Sequence, residues 1–406
     1  MASTPIATAA AAAAKKAVTL TTGRAAFKPR QTFDISPDIP RSFYLGHHHA
    51  GLARMRQTLA TVGLIIECRD FRVPITSWNP LLEQSLAASN PSERTRIIVY
   101  THRDLGPGGP RARPVPGGGG HISEAAETCL RRFHLNAGHA AEVLFTGAGT
   151  TYKGTASALL TVIKRVARAR DNLTGLRALV VGMPNAGKST LLNRLRKEGM
   201  QADKAARTGS NPGITRKLSS PVRIVPGEAS PEAGTDSSLH GVGEGIFLLD
   251  TPGVFVPYVP DPERMLKLAL VGCVRDGLLP RETLADYLLF RLNLAGSKGY
   301  LRRLQMAAPT NDVREFLDAV ARRTGKMAKG GVVNYESAAN WAVHEWRTGG
   351  FTRMMLDEVT PQALARALEE SQVSELSMNQ AKKQDKVARK ARNEAKRSGI
   401  LGGGDE

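Results

Sequence analysis

Residues 176–190, Leu-Arg-Ala-Leu-Val-Val-Gly-Met-Pro-Asn-Ala-Gly-Lys-Ser-Thr, restrict the possible folds more than any other stretch of the 406-residue chain. An apolar run ending at Gly182 reads as a buried parallel strand, and Ser189-Thr190-Leu-Leu-Asn-Arg-Leu opens a helix. The spacing G-x-x-x-x-G-K-S lies between them. Gly182 and Gly187 let the backbone turn tightly enough for amide groups and a helix N-terminus to surround phosphate oxygens. Pro184, Asn185, Ala186, Gly187, Lys188, Ser189 and Thr190 are therefore the candidate phosphate-binding residues. Lys188 can reach β- and γ-phosphates, and the Ser189 hydroxyl can bind Mg²⁺. A chance Gly-rich turn is the competing reading; the strand before, the helix after and the filled motif positions argue against it.

The length favours two folded domains with tails. Apolar residues make up 41% of the chain, but no uninterrupted run approaches the roughly 20 residues of a membrane-spanning helix, so a soluble protein is expected. The net charge is +19, from 56 Lys plus Arg against 37 Asp plus Glu, which points to a polyanionic partner such as nucleic acid. Cys68, Cys129 and Cys273 show neither disulfide nor zinc spacing. The first acidic residue is Asp34. Residues 1–33 carry Lys15, Lys16, Arg24, Lys28 and Arg30 among Ala, Ser and Thr, the composition of a mitochondrial targeting segment, with an unstructured Ala-rich tail as the alternative.

Residues 43–60 read as a loop feeding an amphipathic helix, with Leu52, Met55 and Leu59 at helical spacing. Strand 63–69, a Pro-punctuated loop 70–80, helix 81–88 and strand 96–100 follow. That rhythm implies a parallel sheet. Thr101-His102-Arg103-Asp104 comes directly after the second strand, at the carboxyl end where ligands gather in open α/β sheets. Asp104 can accept two hydrogen bonds from a guanine edge; it can equally cap a turn before the Gly/Pro-rich stretch 106–120, expected as a disordered insertion. Helix 124–133, strand 142–145 ending in Thr146-Gly147, and helix 155–169 complete the units before the phosphate loop. Downstream lie Asn211-Pro-Gly-Ile-Thr215, strand 222–225, a second Pro/Gly/Ser-rich insertion over 226–245, and strand 246–249 running into Asp250-Thr-Pro-Gly253. An Asp at a strand end followed by a Gly amide suits a Mg²⁺-nucleotide sensor, with Thr215 as a second hydroxyl for the metal. The fold class expected over 34–258 is α/β, a mostly parallel sheet with helices on both faces. A small helical domain over 259–370 follows, then a basic tail over 371–406 suited to phosphate backbones.

The base motif precedes the phosphate loop, the reverse of the order in ordinary small GTPases. That order resembles the circularly permuted P-loop GTPases of the YlqF/RbgA type, and among them the mitochondrial ribosome-assembly members. The resemblance covers about residues 43–355. It rests on Gly46-His47, Asp70-Phe-Arg-Val-Pro74 with Asn79-Pro80, the Gly-Met-Pro-Asn-Ala-Gly-Lys-Ser loop, Pro212-Gly-Ile-Thr215 and Asp250-Thr-Pro-Gly253. Gly330-Gly331, Ala338-Ala339 and Arg347-Thr-Gly349 add to it. Three places depart from the family pattern, one of them His49-Ala50 in the neighbourhood of the usual Ala-Lys. Thr101-His102-Arg103-Asp104 stands where Asn-Lys-x-Asp is usual, and Thr146-Gly147-Ala148 where a Ser-Ala loop is usual.

The resemblance implies a GTP-hydrolysing assembly factor for the large mitochondrial ribosomal subunit. It would bind that subunit's rRNA as a monomer in the matrix, with peripheral association at the inner membrane allowed. GTP would be the substrate. Guanine would contact Thr101, His102, Asp104, Thr146 and Gly147, and the phosphates would contact the loop 184–190 together with Thr215, Asp250 and Gly253. Ser189 and Thr215 would bind Mg²⁺, and Asn185 would bind K⁺. Val254 occupies the place of the water-orienting Gln of many small GTPases and cannot polarise water; the resemblance implies that the histidine of the Gly-His motif, here His47, is the catalytic group. A loop His bound to RNA or solvent is the other reading of His47. The competing functions are an RNA-binding scaffold that scarcely turns GTP over and a tRNA- or translation-associated GTPase.

Overall fold

The computed structural model describes residues 27–36, 39–41, 46–87, 94–108, 119–148, 152–171, 173–206, 220–231, 237–254, 259, 261–372 and 387, with backbone only at 46–51, 119–123 and 153. Most of residues 1–33, expected as a targeting segment, together with Thr215 and nearly all of the expected basic tail 371–406, lie outside the described residues. Six strands form one sheet: β1 (Leu64–Asp70), β2 (Thr95–Thr101), β3 (Glu142–Phe145), β4 (Leu176–Gly182), β5 (Val222–Val225) and β6 (Ile246–Asp250). Their order is β3-β2-β1-β4-β6-β5. All neighbours are parallel except β5, which pairs antiparallel with β6. The chain builds outward from β1 through β2 to β3, then returns to lay β4 on β1's other side. The carboxyl ends of β1 and β4 therefore flank the reversal of strand order, where an open α/β sheet forms its crevice.

Every residue of β1 is buried, because helices cover both faces of the sheet. On one face, α1 (Gly46–Leu59) and α2 (Pro80–Ala87) pack Leu52, Met55, Leu59, Leu82 and Leu86 on Ile65, Leu179, Val181 and Leu249. On the other, α4 (Lys153–Arg170) and α5 (Lys188–Met200) supply Leu159, Ile163, Leu191 and Leu195 against Leu64, Ile66, Ala178 and Val180. Between β2 and β3 runs α3 (Gly119–Asn136). It starts inside the Gly-rich stretch expected as loop; glycine is tolerated there because first-turn N–H groups make no intrahelical bonds. Of the stretch 226–245, residues 226–231 and 237–245 are described, and they pack on the body. Leu239 and Val242 are buried and extend the α4/α5 core, and Glu228 N donates to Gly243 O at 2.9 Å.

Five helices build the second core: α6 (Pro262–Val271), α7 (Arg281–Leu294), α8 (Gly299–Leu304), α9 (Val313–Thr324) and α10 (Tyr335–Arg347). Leu284, Tyr287, Leu288, Leu289 and Leu292 bury most of α7 at its centre. Trp346 is buried in this core and Trp341 packs beside it. Side chains cap three of the helices: Asp261 accepts from Glu263 N with Pro262 following it, Asp312 accepts from Arg314 N, and Asn334 accepts from Ser337 N. The last helix, α11 (Pro361–Gln372), packs elsewhere. Its Leu364 and Ala367 join Phe71, Trp78, Tyr100 and Leu130 on the β2/β3 side of the sheet. The Asp357 carboxylate ties the preceding segment to the same place, accepting from Ile75 N at 3.0 Å, Thr76 N at 2.7 Å and Thr76 Oγ1 at 2.6 Å. Among the described residues no helix is long and apolar enough to cross a membrane.

One polar network is buried under α2. Glu67 accepts from Arg69 Nε at 2.6 Å and also pairs with Arg96, while Glu83 bridges Arg69 at 3.0 Å and Arg96 at 2.6 Å. Burial opposes ionisation of Glu67, but Arg69 and Arg96 outweigh it and bring its pKa down to about 2. Beside this network His134 is wholly buried, with Nε2 2.9 Å from the Tyr100 hydroxyl. Burial, reinforced by Arg69, lowers its pKa from 6.5 to about 2, so the folded imidazole stays neutral while the unfolded one titrates. Folded chain thus binds fewer protons than unfolded chain below pH 6.5, and stability declines as pH falls from there. Replacing His134 with Gln (H134Q) should flatten the dependence of unfolding free energy on pH between about 6.5 and 4.5 by up to ~1.4 kcal/mol per pH unit. Urea titrations at stepped pH measure this; an unchanged slope would show that His134 does not carry the acid sensitivity.

Candidate active site

The loop after β4 is shaped by its glycines. Gly182 has φ 140°, and a Cβ there would stand 2.3 Å from the Cys68 carbonyl oxygen of β1. Gly187, at φ 78°, precedes α5 and faces the Thr101 methyl, which a Cβ would meet at 3.3 Å. Lys188 is buried. Its Nζ donates to Met183 O at 2.7 Å and reaches Gly182 O at 3.3 Å, so the ammonium lies folded across the loop. Burial lowers its pKa and the nearby Asp250 opposes that shift. Ser189 Oγ donates to Asp250 Oδ2 at 2.5 Å. A hydroxyl and a carboxylate from two separate elements are thus side by side, the hard oxygen pair that suits Mg²⁺.

The Asp250-Thr-Pro-Gly253 turn lies directly on this loop. Thr251 Oγ1 donates to Val180 O at 2.7 Å, and Val254 N donates to Gly182 O at 3.1 Å. A Cβ on Gly253 would stand 2.5 Å from Pro184 Cα. Val254 is buried with Leu52 and Met55 of α1, and its carbonyl accepts from Asn79 Nδ2 at 2.9 Å. The Val254 side chain therefore packs into the core and has no access to a hydrolytic water. His47 lies in the first turn of α1; its side chain is outside the description, as is Thr215.

The base motif meets the phosphate loop through Thr101, whose hydroxyl lies within reach of two acceptors, Ala186 O at 3.0 Å and Arg69 O at 3.2 Å. Asp104 sits in the single 3₁₀ turn Arg103–Leu105. Gly147 abuts it closely: a Cβ would stand 2.5 Å from Asp104 Oδ1 and 2.8 Å from Asp104 N. Arg194, on the helix that follows the phosphate loop, donates to Thr146 Oγ1 at 3.0 Å and Gly147 O at 2.9 Å. Segments from the ends of β2, β3, β4 and β6 thus converge around Lys188. Arg194 was not legible as a site residue, because one Arg on an amphipathic helix carries no motif.

Asp70 and Arg72 had matched a family pattern without a role. Arg72 Nε and its terminal nitrogen pair with the two Asp70 carboxylate oxygens at 3.0 and 2.7 Å, and His102, held at φ 55°, brings Nδ1 within 3.2 Å of Asp70 Oδ2. Burial opposes ionisation of Asp70, but Arg72 and His102 outweigh it and hold the carboxyl far below the usual range. Arg72 also donates to Val271 O at 3.3 Å, and Asn185 Nδ2 donates to the next carbonyl, Gly272 O, at 2.8 Å. Arg347 covers Leu270 O at 2.9 Å and Ala269 O at 2.7 Å. Val271 O, the last carbonyl of α6, and Gly272 O just beyond it are thus taken by Arg72 of the loop after β1 and by Asn185 of the phosphate loop, while Arg347 adds to the backbone bond that Gly272 N already makes to Ala269 O. Met183 of the phosphate loop is itself buried in the helical core.

This packing makes the glycine contacts testable. G147A should weaken binding of a fluorescent guanine nucleotide by tenfold or more with little loss of thermal stability, since the new methyl displaces Asp104 while the core is untouched. Equal affinity in titration would show that Asp104 does not read the base.

A family model described as a 50S ribosome-binding GTPase matches residues 177–305. Mitochondrial GTPase 1 of Schizosaccharomyces japonicus is 34% identical over 330 residues, covering 78% of this chain and 90% of its own. Its counterpart in Schizosaccharomyces pombe is 32% identical over 362 residues, covering 86% and 98%. Mitochondrial ribosome-associated GTPase 1 of Mus musculus is 30% identical over 342 residues, covering 81% and 93%. The solved structure of GNP-bound YlqF from T. maritima covers 75% of this chain and 97% of its own, with 21% identity and a TM-score of 0.42. With Thr101-His102-Arg103-Asp104 ahead of the phosphate loop and in contact with it through Thr101, the chain belongs to the mitochondrial GTPase 1 family of circularly permuted P-loop GTPases, enzymes that hydrolyse GTP.

Proposed function

We propose that this GTPase works in the mitochondrial matrix, as a monomer with peripheral access to the inner membrane, and assists assembly of the large ribosomal subunit. In this reading it grips rRNA in the GTP state and leaves after hydrolysis. The observation that carries the proposal is the pair of contacts from Arg72 to Val271 O and from Asn185 to Gly272 O, through which the loop after β1 and the phosphate loop touch the helical unit at the end of α6. The ribosome-associated name of the mouse relative and the description of the family model support the choice of partner.

Asp104 accepts from the guanine edge, flanked by Thr101, His102, Thr146 and Gly147. The backbone and side chains of Pro184, Asn185, Ala186, Gly187, Lys188, Ser189 and Thr190 hold the phosphates, and Gly253 presents its amide to the terminal one. Ser189, Asp250 and Thr215 would hold Mg²⁺, which supplies charge neutralisation on the β- and γ-phosphates when bound. Asn185 would serve K⁺ through its Oδ1 oxygen. With Val254 packed inside, His47 orients the attacking water.

Two measurements test this. H47A should lower kcat for GTP by about 10²–10⁴-fold while leaving nucleotide affinity within a few fold; an unchanged kcat would remove His47 from catalysis. The protein should also sediment with purified mitochondrial large subunits in a non-hydrolysable GTP analogue and not in GDP, and subunits should stimulate turnover more in KCl than in NaCl. Retention of GTP without stimulation would favour the RNA-binding scaffold, and association with tRNA or mature ribosomes would favour a translation-associated GTPase.

A further inference from the structure

Between α9 and α10 the chain makes a short finger that the nucleotide site does not use. Arg322 and Arg323 close α9, and Lys326-Met-Ala-Lys-Gly-Gly-Val332 follows with an antiparallel bridge between Met327 and Val333. Ala328 N donates to Val332 O at 2.7 Å, Gly331 N to Ala328 O at 3.2 Å, and Asn334 N to Lys326 O at 3.0 Å. Gly330 and Gly331 turn the tip at φ 83° and 74°, and a Cβ at either would meet nothing within 4 Å. The tip therefore stands clear of the body. Its root is fixed: Asn334 caps α10, Tyr335 donates to Asp318 at 3.0 Å, and Val333 packs on the helical core.

The charge on this finger has one sign. Residues 319–335 contain Arg322, Arg323, Lys326 and Lys329 and no Asp or Glu. Among the described residues none of these four cations takes part in an ion pair. Arg322, Arg323 and Lys329 are exposed, as are two isolated apolar side chains, Met327 and Val332. Two separated apolar groups do not make a protein-docking patch. Four unpaired cations on a preformed projection match a phosphate backbone, where each Lys or Arg displaces a condensed counterion.

We infer that the finger 322–332 is an RNA-docking element that grips backbone phosphates of a helical RNA segment independently of sequence. The inference rests on the rRNA-binding reading of the function and locates it. It also gives the grip a route to the nucleotide, since α10 begins at the root of the finger and ends at Arg347, which covers Leu270 O and Ala269 O of α6 beside the carbonyl held by Asn185.

The test uses full-length protein loaded with a non-hydrolysable GTP analogue and two probes, a 40-nucleotide RNA hairpin and a transcript of the mitochondrial large-subunit rRNA. K326Q/K329Q should bind both at least tenfold more weakly near 0.1 M salt, with the slope of log Kd against log salt reduced by about 1.5. K326R/K329R should restore the slope, and matching circular dichroism melts should show both variants folded. If wild type binds RNA and K326Q/K329Q binds with equal affinity and slope, the finger is not the contact and rRNA binding lies elsewhere. If wild type binds neither probe, the finger and the rRNA-binding reading fail together.

Discussion

The site depends on how closely β4 passes β1. At Gly182 the two strands approach until a Cβ would stand 2.3 Å from the Cys68 carbonyl oxygen, so only glycine permits the pairing that ends there. Because β1 comes first in the chain and β4 fourth, this contact joins the two halves of a permuted domain. From β1 the chain reaches the base motif through β2 and the 146–147 turn through β3. From β4 it reaches the phosphate loop, and through β6 the Asp250 turn. Moving the phosphate motif to the middle of the chain changes which loops carry the termini but leaves the sheet able to gather the same groups at one edge.

The electrostatics of the crevice follow from burial. Asp70, at the end of β1, has no exposed surface and stays ionised because Arg72 grips both carboxylate oxygens and His102 approaches from the base side. Removing one partner of such a buried pair strands the other charge, at a cost of about 3–5 kcal/mol. Arg72 is therefore fixed in place, and the terminal nitrogen that pairs with Asp70 Oδ2 also donates to Val271 O of α6. The base loop, the sheet and the helical unit share one ion pair, so the helical unit is joined to the nucleotide site by a rigid element as well as by the covalent link through 255–260.

The parts legible in the sequence were those written as local spacing: the phosphate loop, the apolar strand runs and the Asp250 turn. Periodicity also exposed the burying face of α1. The sequence did not show which way α11 would turn. Its apolar residues fit a helical bundle as well as the aromatic cluster around Phe71 and Trp78, and the choice is made by Asp357 docking on the backbone of 75–76, an interaction between residues 281 and 282 positions apart. Arg194 and the Arg72–Val271 contact were hidden for the same reason, since a long-range hydrogen bond leaves no pattern along the chain. Leu239 and Val242 were hidden differently: the Pro, Gly and Ser around them resemble a solvated insertion, yet two apolar side chains suffice to fold it onto the α4/α5 core.

How strongly the nucleotide can act on the helical unit follows from the unequal grips on α6. Arg72 is locked by Asp70, and Arg347 is held by Asp276 at 3.1 Å while it covers two carbonyls. Both are cations at a helix C-terminus, where the macrodipole favours positive charge. Asn185 is neutral, donates to Gly272 O at 2.8 Å, and alone among the three belongs to the loop that surrounds phosphate. A neutral hydrogen bond contributes about 1 kcal/mol net, which corresponds to roughly a fivefold shift between two conformations, at the low end of allosteric coupling. A GTP-dependent grip that is then fully released requires several kcal/mol. The contact at Gly272 therefore sets the direction of the response and leaves most of its size to a bound partner whose own contacts differ between the two states. Under the proposed function, that division places control of turnover with what the enzyme binds and not with the nucleotide loop alone.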